Sequence, residues 1–294
     1  MTCATRTFLP GLEERRRLVG GVSLRWFEGG EGAPILLLHG FGGAATNWTL
    51  VAPRLLALGR VLVPDLPGHG GSSGLPAPPE TLDPFADRVA SLLDAPALVV
   101  GHSLGGVVAL RLALRRPELV RGLVLAGCAG ISSGTRQSER ALTLVSIVKP
   151  GKRIARWRRR IARTPMLRTL AFGAVSVADP RALPELAANG FLAGSALHTE
   201  VRSAGDALVR TDPRLDLEHI RCPSLVLHGT RDVQVPLRDA FEYARRLRAP
   251  LRAVADCGHL VIGERASAVV AAISDWIREV DERPVDAEPV GEAR

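Results

Sequence analysis

The sequence predicts an α/β fold with a mostly parallel, doubly wound sheet and an inserted, all-helical segment. Short apolar runs rich in β-branched residues, typical of strands buried on both faces, alternate with segments whose apolar residues recur at helical spacing. Strands that alternate with helices favour right-handed crossovers, and hence a parallel sheet covered by helices on both faces. This rhythm stops after residue 129 and resumes after residue 211, and the interval has helical composition without a convincing strand.

Length and composition fit one domain with an insertion, or two small domains. The 294 residues are 46% hydrophobic and include 30 glycines, which is enough for a substantial core. We find no charged leader followed by an apolar segment, and no apolar run approaches the roughly 18 residues that a membrane-spanning helix needs. The cysteines, Cys3, Cys128, Cys222 and Cys257, have no paired spacing, so no metal site and no disulfide framework is expected. We therefore expect a cytoplasmic protein without cofactor, whose oligomeric state stays open.

The net charge of +8 comes from one segment. Nine basic residues and no acid lie between residues 149 and 170, so the rest of the chain is close to neutral. No nucleic-acid motif and little aromatic interleaving accompany them, so we expect no nucleic-acid partner. Within the segment, Ile154, Trp157 and Ile161 recur at helical spacing among the arginines. This stripe predicts either a helix packed on the rest of the protein or weak contact with an anionic membrane surface through residues 149–170.

The first elements follow from local patterns. Alternating apolar residues predict an edge strand or hairpin, and a continuous apolar run predicts a strand covered on both faces. A helix, another strand, a loop rich in Gly and Pro, and a second helix follow. In chain order these segments are 18–29, 34–38, 44–58, 60–63, 64–73 and 81–93.

The stretch 97–117 is the most informative part of the chain. An apolar run leads into a segment of helical spacing, with only Gly101, His102 and Ser103 between them. A turn this tight strains its middle residue and brings the flanking chain close, which explains the glycines on both sides. Ser103 then stands at the apex, beside a helix N-terminus whose free N–H groups face any developing anion. The position suits a nucleophile, although turns of this kind also bind phosphate or only change the chain direction.

The second half of the chain contains the insertion and the end of the sheet. A strand at 120–126 precedes it, and helical segments interrupted by prolines follow at 135–148, 152–163, 166–177 and 182–209. The strand and helix rhythm then continues at 223–227, 237–248, 251–254 and 260–280. We therefore expect a core formed by residues 1–129 and 212–294 and a helical cap formed by residues 130–211.

Candidates for a base and an acid follow strand ends after the insertion. A serine hydroxyl needs a base to take its proton, and that base needs a third group to orient it. Asp232 and His259 each come just after a predicted strand, on the rim where parallel sheets carry their sites. Asp65 and Asp256 compete for the role of the acid. Asp65 precedes the serine turn, however, and Asp256 is too close in sequence to His259 to reach around its ring.

Five segments, in this order, resemble the motifs of the α/β-hydrolases: HGFGG at 39–43, DLPGHGGSS at 65–73, GHSLGG at 101–106, HGTRDVQVP at 228–236 and CGHLVIGE at 257–264. The resemblance implies the α/β-hydrolase fold. It also implies Ser103 as nucleophile, His259 as general base and Asp232 as the acid that orients it. An oxyanion hole formed by the backbone N–H groups of Phe41 and Leu104 is implied as well.

Within this family the residue types favour a serine esterase. The epoxide-hydrolase and dehalogenase branches use an Asp nucleophile, and carbon–carbon bond hydrolases often carry Trp after the catalytic His, where this chain has Leu260. We expect a hydrolase that cleaves carboxylic esters of small to medium apolar acyl groups through an acyl-enzyme intermediate. Thioesterase, lactonase and carbon–carbon bond hydrolase activities remain alternatives, and so does a catalytically silent binding module.

The expected partner is a small-molecule ester-type substrate in a mostly apolar pocket. Candidate pocket residues are His102, Phe172, Phe191, Val233 and Leu260. Three further histidines lie in Gly-rich loops, where ring hydrogen bonds hold turns, and we expect structural roles for them: His39, His69 and His228. His198 lies in the insertion, where a surface or core role is favoured over contact with substrate.

Overall fold

One eight-stranded sheet organises the described part of the chain, which is residues 8–132, 155–195, 197–198 and 200–282 of a computed structural model. The strands are β1 Glu13–Val19, β2 Val22–Gly29, β3 Pro34–Leu38, β4 Arg60–Pro64, β5 Ala97–His102, β6 Val120–Ala126, β7 Ser224–Gly229 and β8 Leu251–Val254. Their order in the sheet is β1-β2-β4-β3-β5-β6-β7-β8. The β1–β2 and β2–β4 pairs are antiparallel, and the other pairs are parallel. The predicted α/β class with a mostly parallel sheet is confirmed.

Helices follow most of the strands. They are α1 Ala52–Leu55, α2 Asp83–Ala90, α3 Leu104–Arg115, α4 Arg158–Arg163, α5 Pro165–Ser176, α6 Glu185–Ser195, α7 Arg202–Arg210, α8 Leu237–Leu247, α9 Val261–Glu264 and α10 Ala266–Asp281. The described residues between β6 and β7 form the helices α4 to α7 and short 3₁₀ turns. The predicted segment 135–148 lies outside the described residues. None of the helices in the described ranges has the length and apolar character needed to cross a bilayer.

The core has two layers because successive side chains of a strand point to opposite faces of the sheet. Ile35 and Leu37 of β3 belong to a cluster with α10 and with residues of α4, α5 and α6. Leu36 and Leu38 belong to a second cluster with α2, α3, α7 and α8. This double cover explains why the strand sequences are continuous apolar runs rather than alternating ones.

Helix α6 attaches the insertion to the core through small residues. It packs on the turn Ala45–Trp48, where the Thr46 hydroxyl donates a hydrogen bond to the Gly190 carbonyl oxygen (2.7 Å). A Cβ at Gly190 would lie 2.5 Å from the Thr46 carbonyl oxygen, so only glycine allows this approach. In α4, Ile161 is buried, as the interpretation of a helix packed on the core requires. Ile154, of the same predicted stripe, lies outside the described residues.

The helix predicted over 44–58 is wrong. The segment forms the 3₁₀ turn Ala45–Trp48 and the four-residue helix α1 instead. Its polar side chains bind backbone groups: the Asn47 side chain accepts from the Ala44 N–H (2.6 Å), and the Thr49 hydroxyl donates to the Phe8 carbonyl oxygen (2.7 Å). Such bonds compete with helix formation. The predicted segment 260–280 is likewise divided, because Arg265 has φ −131° and ψ 45° between α9 and α10.

Candidate active site

Ser103 occupies a strained turn between β5 and α3. Its φ of 54° and ψ of −118° are unfavourable for a residue with a side chain. The neighbouring chain holds it there, since the Ser103 N–H donates to the Ala126 carbonyl oxygen (3.1 Å). A Cβ at Gly101 would overlap the backbone of Gly105, and a Cβ at Gly105 would overlap the carbonyl of Leu38. The two glycines therefore let the strand and the helix approach closely enough to keep Ser103 at the apex.

A continuous hydrogen-bonded series joins Ser103 to His259 and Asp232. Ser103 Oγ lies 3.0 Å from His259 Nε2, and His259 Nδ1 lies 2.8 Å from Asp232 Oδ2. The other carboxylate oxygen, Asp232 Oδ1, accepts from the backbone N–H groups of Gln234 and Val235, both at 2.9 Å. The carboxylate makes Nδ1 the protonated ring nitrogen of a neutral His259. Nε2 is then free to accept the serine proton.

The electrostatic environment favours the charged form of Asp232. Burial alone would raise the pKa of Asp232, but the hydrogen bonds from His259 and the Val235 N–H outweigh burial and hold the pKa below its usual range. Burial lowers the pKa of His102 to about 3, so this neighbouring ring is neutral. Burial also raises the pKa of the Cys257 thiol to about 12, which makes it unreactive at neutral pH.

The two backbone N–H groups expected to form an oxyanion hole belong to the residues that follow Ser103 and Gly40 in the chain. The Leu104 N–H is the first of α3 and has no partner within the helix. Gly40 packs directly on the serine turn, because a Cβ there would lie 3.0 Å from Ser103 Cβ. Phe41 is the residue that follows this contact in the chain. His39 stabilises the loop by donating from Nδ1 to the Gly40 carbonyl oxygen (2.8 Å).

Two of the proposed pocket residues form an aromatic pair in the insertion. The rings of Phe172 and Phe191 are 6.4 Å apart at 68°, and each residue is 8% exposed. The Phe191 ring packs against Gly263 of α9, four residues after His259. Leu260 is partly buried against the same cluster. These residues therefore connect the insertion to the part of the core that carries His259.

The structure places the other two pocket candidates differently. His102 donates from Nε2 to the carbonyl oxygen of His259 (2.9 Å), so it supports His259 rather than lining a pocket. Val233 is on the same loop as Asp232 but is 65% exposed. A side chain this exposed does not line an enclosed pocket in this conformation.

The competing carboxylates lie elsewhere. Asp65 is buried, accepts from Arg25 Nε (2.6 Å) and from the Ala45 N–H (2.7 Å), and so holds the loop before the serine turn. Asp256 is exposed and pairs with Arg231 (2.7 Å). Of the described carboxylates, Asp232 is the one that lies within hydrogen-bond distance of His259 Nδ1.

Four further histidines stabilise loops, as expected for three of them. His39 Nε2 accepts from the Leu66 N–H (3.0 Å), His69 Nδ1 donates to the Pro67 carbonyl oxygen (3.0 Å), and His228 Nε2 donates to the Val235 carbonyl oxygen (3.1 Å). His198 joins the insertion to two core loops, because Nδ1 accepts from the Gly70 N–H (2.9 Å) and Nε2 donates to the Gly42 carbonyl oxygen (2.7 Å). Across the described ranges, no group of three or more side chains forms a potential metal site.

Sequence reasoning missed three residues that surround the site. Glu264, Ser176 and Gln234 form hydrogen bonds between the insertion and the loops that carry His259 and Asp232. Glu264 lies five residues after His259, inside the last family-like motif, so its position in the sequence could have indicated a role at the site. Ser176 offered no signal, since its partners are distant in the chain.

Comparisons with known proteins agree with this fold. Residues 35–273 match the model of the alpha/beta hydrolase family. A 2-hydroxymuconate semialdehyde hydrolase from Pseudomonas sp. (strain CF600) is 30% identical over 286 residues, which is 91% of this chain and 94% of the relative. A pimeloyl-[acyl-carrier protein] methyl ester esterase from Aromatoleum aromaticum is 33% identical over 262 residues, covering 83% of this chain and 98% of the relative. A thermophilic esterase from Thermogutta terrifontis has a TM-score of 0.72 at 24% identity and covers 91% of this chain and 99% of that one; at this identity the similarity supports the fold.

Proposed function

Because this chain belongs to the α/β-hydrolase family, we propose that it hydrolyses carboxylic esters of small to medium apolar acyl groups through an acyl-enzyme intermediate on Ser103. One observation carries the proposal. Ser103 Oγ, His259 and Asp232 are joined by hydrogen bonds of 3.0 and 2.8 Å, at a helix N-terminus suited to a developing anion. Curated relatives that include esterases support the ester as substrate class.

In the first half of the reaction, Ser103 Oγ attacks the ester carbonyl carbon while His259 Nε2 takes the hydroxyl proton. The carbonyl oxygen becomes an oxyanion, which the N–H groups of Leu104 and Phe41 stabilise. Asp232 accepts the hydrogen bond from His259 Nδ1 and stabilises the imidazolium. His259 then gives its proton to the leaving alcohol as the carbon–oxygen bond breaks, and the acyl group stays on Ser103.

In the second half, water takes the place of the alcohol. His259 Nε2 removes a proton from the water, whose oxygen attacks the acyl carbon, and the same oxyanion donors act again. Collapse of this intermediate returns the proton to Ser103 Oγ and releases the carboxylic acid. Ester and water are consumed, and alcohol and acid are formed, so the enzyme returns to its starting state.

The proposed apolar acyl preference is supported by an apolar cluster between the insertion and the segment that follows His259. Phe172 and Phe191 are buried in this cluster, and Leu260 packs against it. Apolar residues of this kind bind acyl chains through burial, and a few polar groups orient the ester. Thioesters and lactones carry the same reacting carbonyl and remain alternative substrates of the same site.

Carbon–carbon bond hydrolysis is the second candidate, because a hydrolase of 2-hydroxymuconate semialdehyde is 30% identical over most of the chain. The same triad geometry can serve either reaction. Leu260, after His259, takes the place of the Trp that such enzymes often carry.

Activity profiling decides between these candidates. We expect the purified protein to hydrolyse p-nitrophenyl esters, with a maximum at short to medium acyl chains, and to act less on thioesters, lactones and 2-hydroxymuconate semialdehyde. The Ser103→Ala protein is the control. A wild-type protein that cleaves 2-hydroxymuconate semialdehyde faster than every ester would overturn the ester proposal, and one that cleaves nothing would favour a silent binding module.

We further propose that the outer face of α4 and α5 makes weak contact with anionic membranes. Met166 and Leu170, one turn apart on α5, are 68% and 77% exposed, and Trp157 is 51% exposed. Exposed arginines lie close to these residues in the chain, and the Arg156 guanidinium lies over the Trp157 ring (5.4 Å). Apolar side chains among arginines are typical of surfaces that lie in the interface of an anionic bilayer.

The arginine segment is less uniformly exposed than its sequence indicates. Arg168 is 9% exposed and donates to the carbonyl oxygens of Ala162 and Pro180, so it stabilises the insertion from within. Arg163 pairs with Glu185 (3.1 Å). The membrane proposal therefore depends on the remaining exposed arginines: Arg156, Arg159 and Arg160.

Vesicle sedimentation tests the membrane contact. The wild-type protein should sediment with phosphatidylglycerol-containing vesicles at low salt and dissociate as salt rises, and Met166→Ser/Leu170→Ser should reduce sedimentation. Leu18→Ser/Leu215→Ser is the matched control, since these leucines are 74% and 73% exposed elsewhere in the chain. Equal sedimentation of the two double variants, or none for the wild type, would refute the contact.

We also propose that the protein is cytoplasmic. Cys128, Cys222 and Cys257 are free, and burial raises the pKa of each thiol to about 12. Unpaired thiols are typical of a reducing compartment, which supports the cytoplasm.

A further inference from the structure

A buried carboxylate joins the insertion to the loop that carries His259. Glu264, at the end of α9, is 9% exposed. Its Oε2 accepts from the Ala178 N–H (2.8 Å), and both carboxylate oxygens accept from the Gly258 N–H (3.1 and 3.0 Å). Ala178 follows α5 in the insertion, and Gly258 immediately precedes His259. One side chain therefore holds two segments that are distant in sequence.

The segment of the insertion that Glu264 holds, residues 176–178, also contacts both catalytic loops directly. The Leu260 N–H donates to the Ser176 carbonyl oxygen (3.0 Å), and Gln234 Nε2 donates to Ser176 Oγ (3.0 Å). A Cβ at Gly258 would lie 2.6 Å from the Ala178 nitrogen, so the two backbones are in close contact. The residues on both sides of His259 are therefore tied to this segment, and so is the loop of Asp232.

We propose that Glu264 is a positioning residue for hydrolysis. It joins residues 176–178 to Gly258, so that His259 is correctly placed only when the insertion is docked against the loop that carries it. The inference rests on the proposed function. His259 must keep its Nε2 near Ser103 and its Nδ1 on Asp232 at the same time, and a displacement of about 1 Å costs about a hundredfold in rate. Without Glu264, the N–H groups of Gly258 and Ala178 lose their shared acceptor.

The substitution series separates positioning from plain stabilisation. Glutamine keeps the length of the side chain and one acceptor oxygen, whereas alanine removes both. We expect kcat to fall about a hundredfold in Glu264→Ala and about tenfold in Glu264→Gln, with KM little changed in both. Gln234→Ala, on an exposed side chain, should lower kcat less than either.

The matched control is Asp239→Ala. Asp239 is 2% exposed and, like Glu264, accepts a backbone N–H, that of Ser132 (2.9 Å), but it contacts none of residues 176–178, 258 or 260 through the hydrogen bonds described. The Asp239→Ala protein should lose stability as Glu264→Ala does, while its kcat should equal that of the wild type. The rate of labelling by a fluorophosphonate should fall in parallel with kcat in the Glu264 variants, since labelling needs the same Ser103–His259 geometry.

The outcomes are distinct. If wild-type ester turnover depends on Ser103 but Glu264→Ala loses no more kcat than Asp239→Ala, the positioning role is wrong while the proposed function stands. If Glu264→Ala does not fold, unchanged kcat in both Glu264→Gln and Gln234→Ala overturns the role. If the wild type hydrolyses no ester, the proposed function fails, and fluorophosphonate labelling that is equal in the wild type and Glu264→Gln then overturns the positioning role as well.

Discussion

Two regions of the molecule differ in how they are held in place. One is the rim of the sheet, which carries Ser103, Asp232 and His259, and the other is the set of helices in the insertion. At the rim, Ser103 is surrounded by backbone: β5 is buried throughout, and Gly101 and Gly105 let strand and helix touch. In the insertion, α5 leaves Met166 and Leu170 largely exposed. The insertion contacts the core through buried apolar residues of α4, α5 and α6 and through hydrogen bonds such as those of Gly190 and Glu264.

This difference indicates which part of the protein tolerates change. A residue enclosed by backbone cannot relax after substitution, whereas an exposed helix face can. Under the proposed function, we therefore expect the chemistry at the rim to tolerate few substitutions and the insertion to tolerate more. Substitutions in each region test this division.

The largest effect is expected from removing the nucleophile at the rim. Ser103→Ala should lower kcat roughly a million-fold, because the triad acts as a unit. Circular dichroism and the unfolding midpoint should match the wild type, and a fluorophosphonate should label the wild type alone. If the variant retained even a tenth of the wild-type rate, the assignment of Ser103 as the nucleophile would be wrong.

The second-largest effect is expected from replacing Asp232, the proposed acid. Asp232→Asn replaces an acceptor by an amide that can donate to Nδ1, which favours the wrong tautomer of His259. Steady-state kinetics should show a loss of about four orders of magnitude in kcat. A fully active Asp232→Asn protein would assign the role to another carboxylate, so Asp256→Asn, expected to be fully active, is the control.

A pair of glycine substitutions compares the regions directly. Gly105→Ala places a Cβ against the Leu38 carbonyl inside the sheet layer and should cost about 3 kcal/mol of global stability. Gly190→Ala pushes α6 from the turn at Thr46 and should cost about 1 kcal/mol or less of global stability while making the insertion sensitive to protease. Urea unfolding measures the global stability of both variants. Equal global losses would mean that the insertion and the core unfold as one unit.

The smallest effect is a pH dependence of opposite sign for two carboxylates. The lowered pKa of Asp232 means that its contribution to stability is complete above about pH 4 and is lost as pH falls through the folded pKa. Burial of Glu264 raises its pKa, outweighing the N–H bonds from Ala178 and Gly258, so its contribution is complete below about pH 4 and is lost as pH rises through the folded pKa.

Urea unfolding across this pH range measures both effects. The stability difference between the wild type and Asp232→Asn should grow with pH, and that between the wild type and Glu264→Gln should shrink. Differences that change in the same direction would contradict the assigned environments.

The sequence by itself determined the strand rhythm and the three candidate triad residues. Both follow from local patterns: apolar runs define buried strands, and a Gly-rich turn at a strand end defines where a serine is exposed. Ser103, Asp232 and His259 come just after strands, and parallel strands bring their carboxyl ends to one edge. Local information was therefore sufficient to propose the site.

The tertiary structure alone decided how residues distant in the chain meet. It divided the segment 44–58 into short turns, because Asp65 and Phe8 bind its backbone and side chains. It buried Arg168 among carbonyl oxygens, although the sequence around it is that of an exposed basic face. It also placed Glu264 between the insertion and His259. Each of these outcomes depends on partners from other elements, whose approach no local pattern encodes.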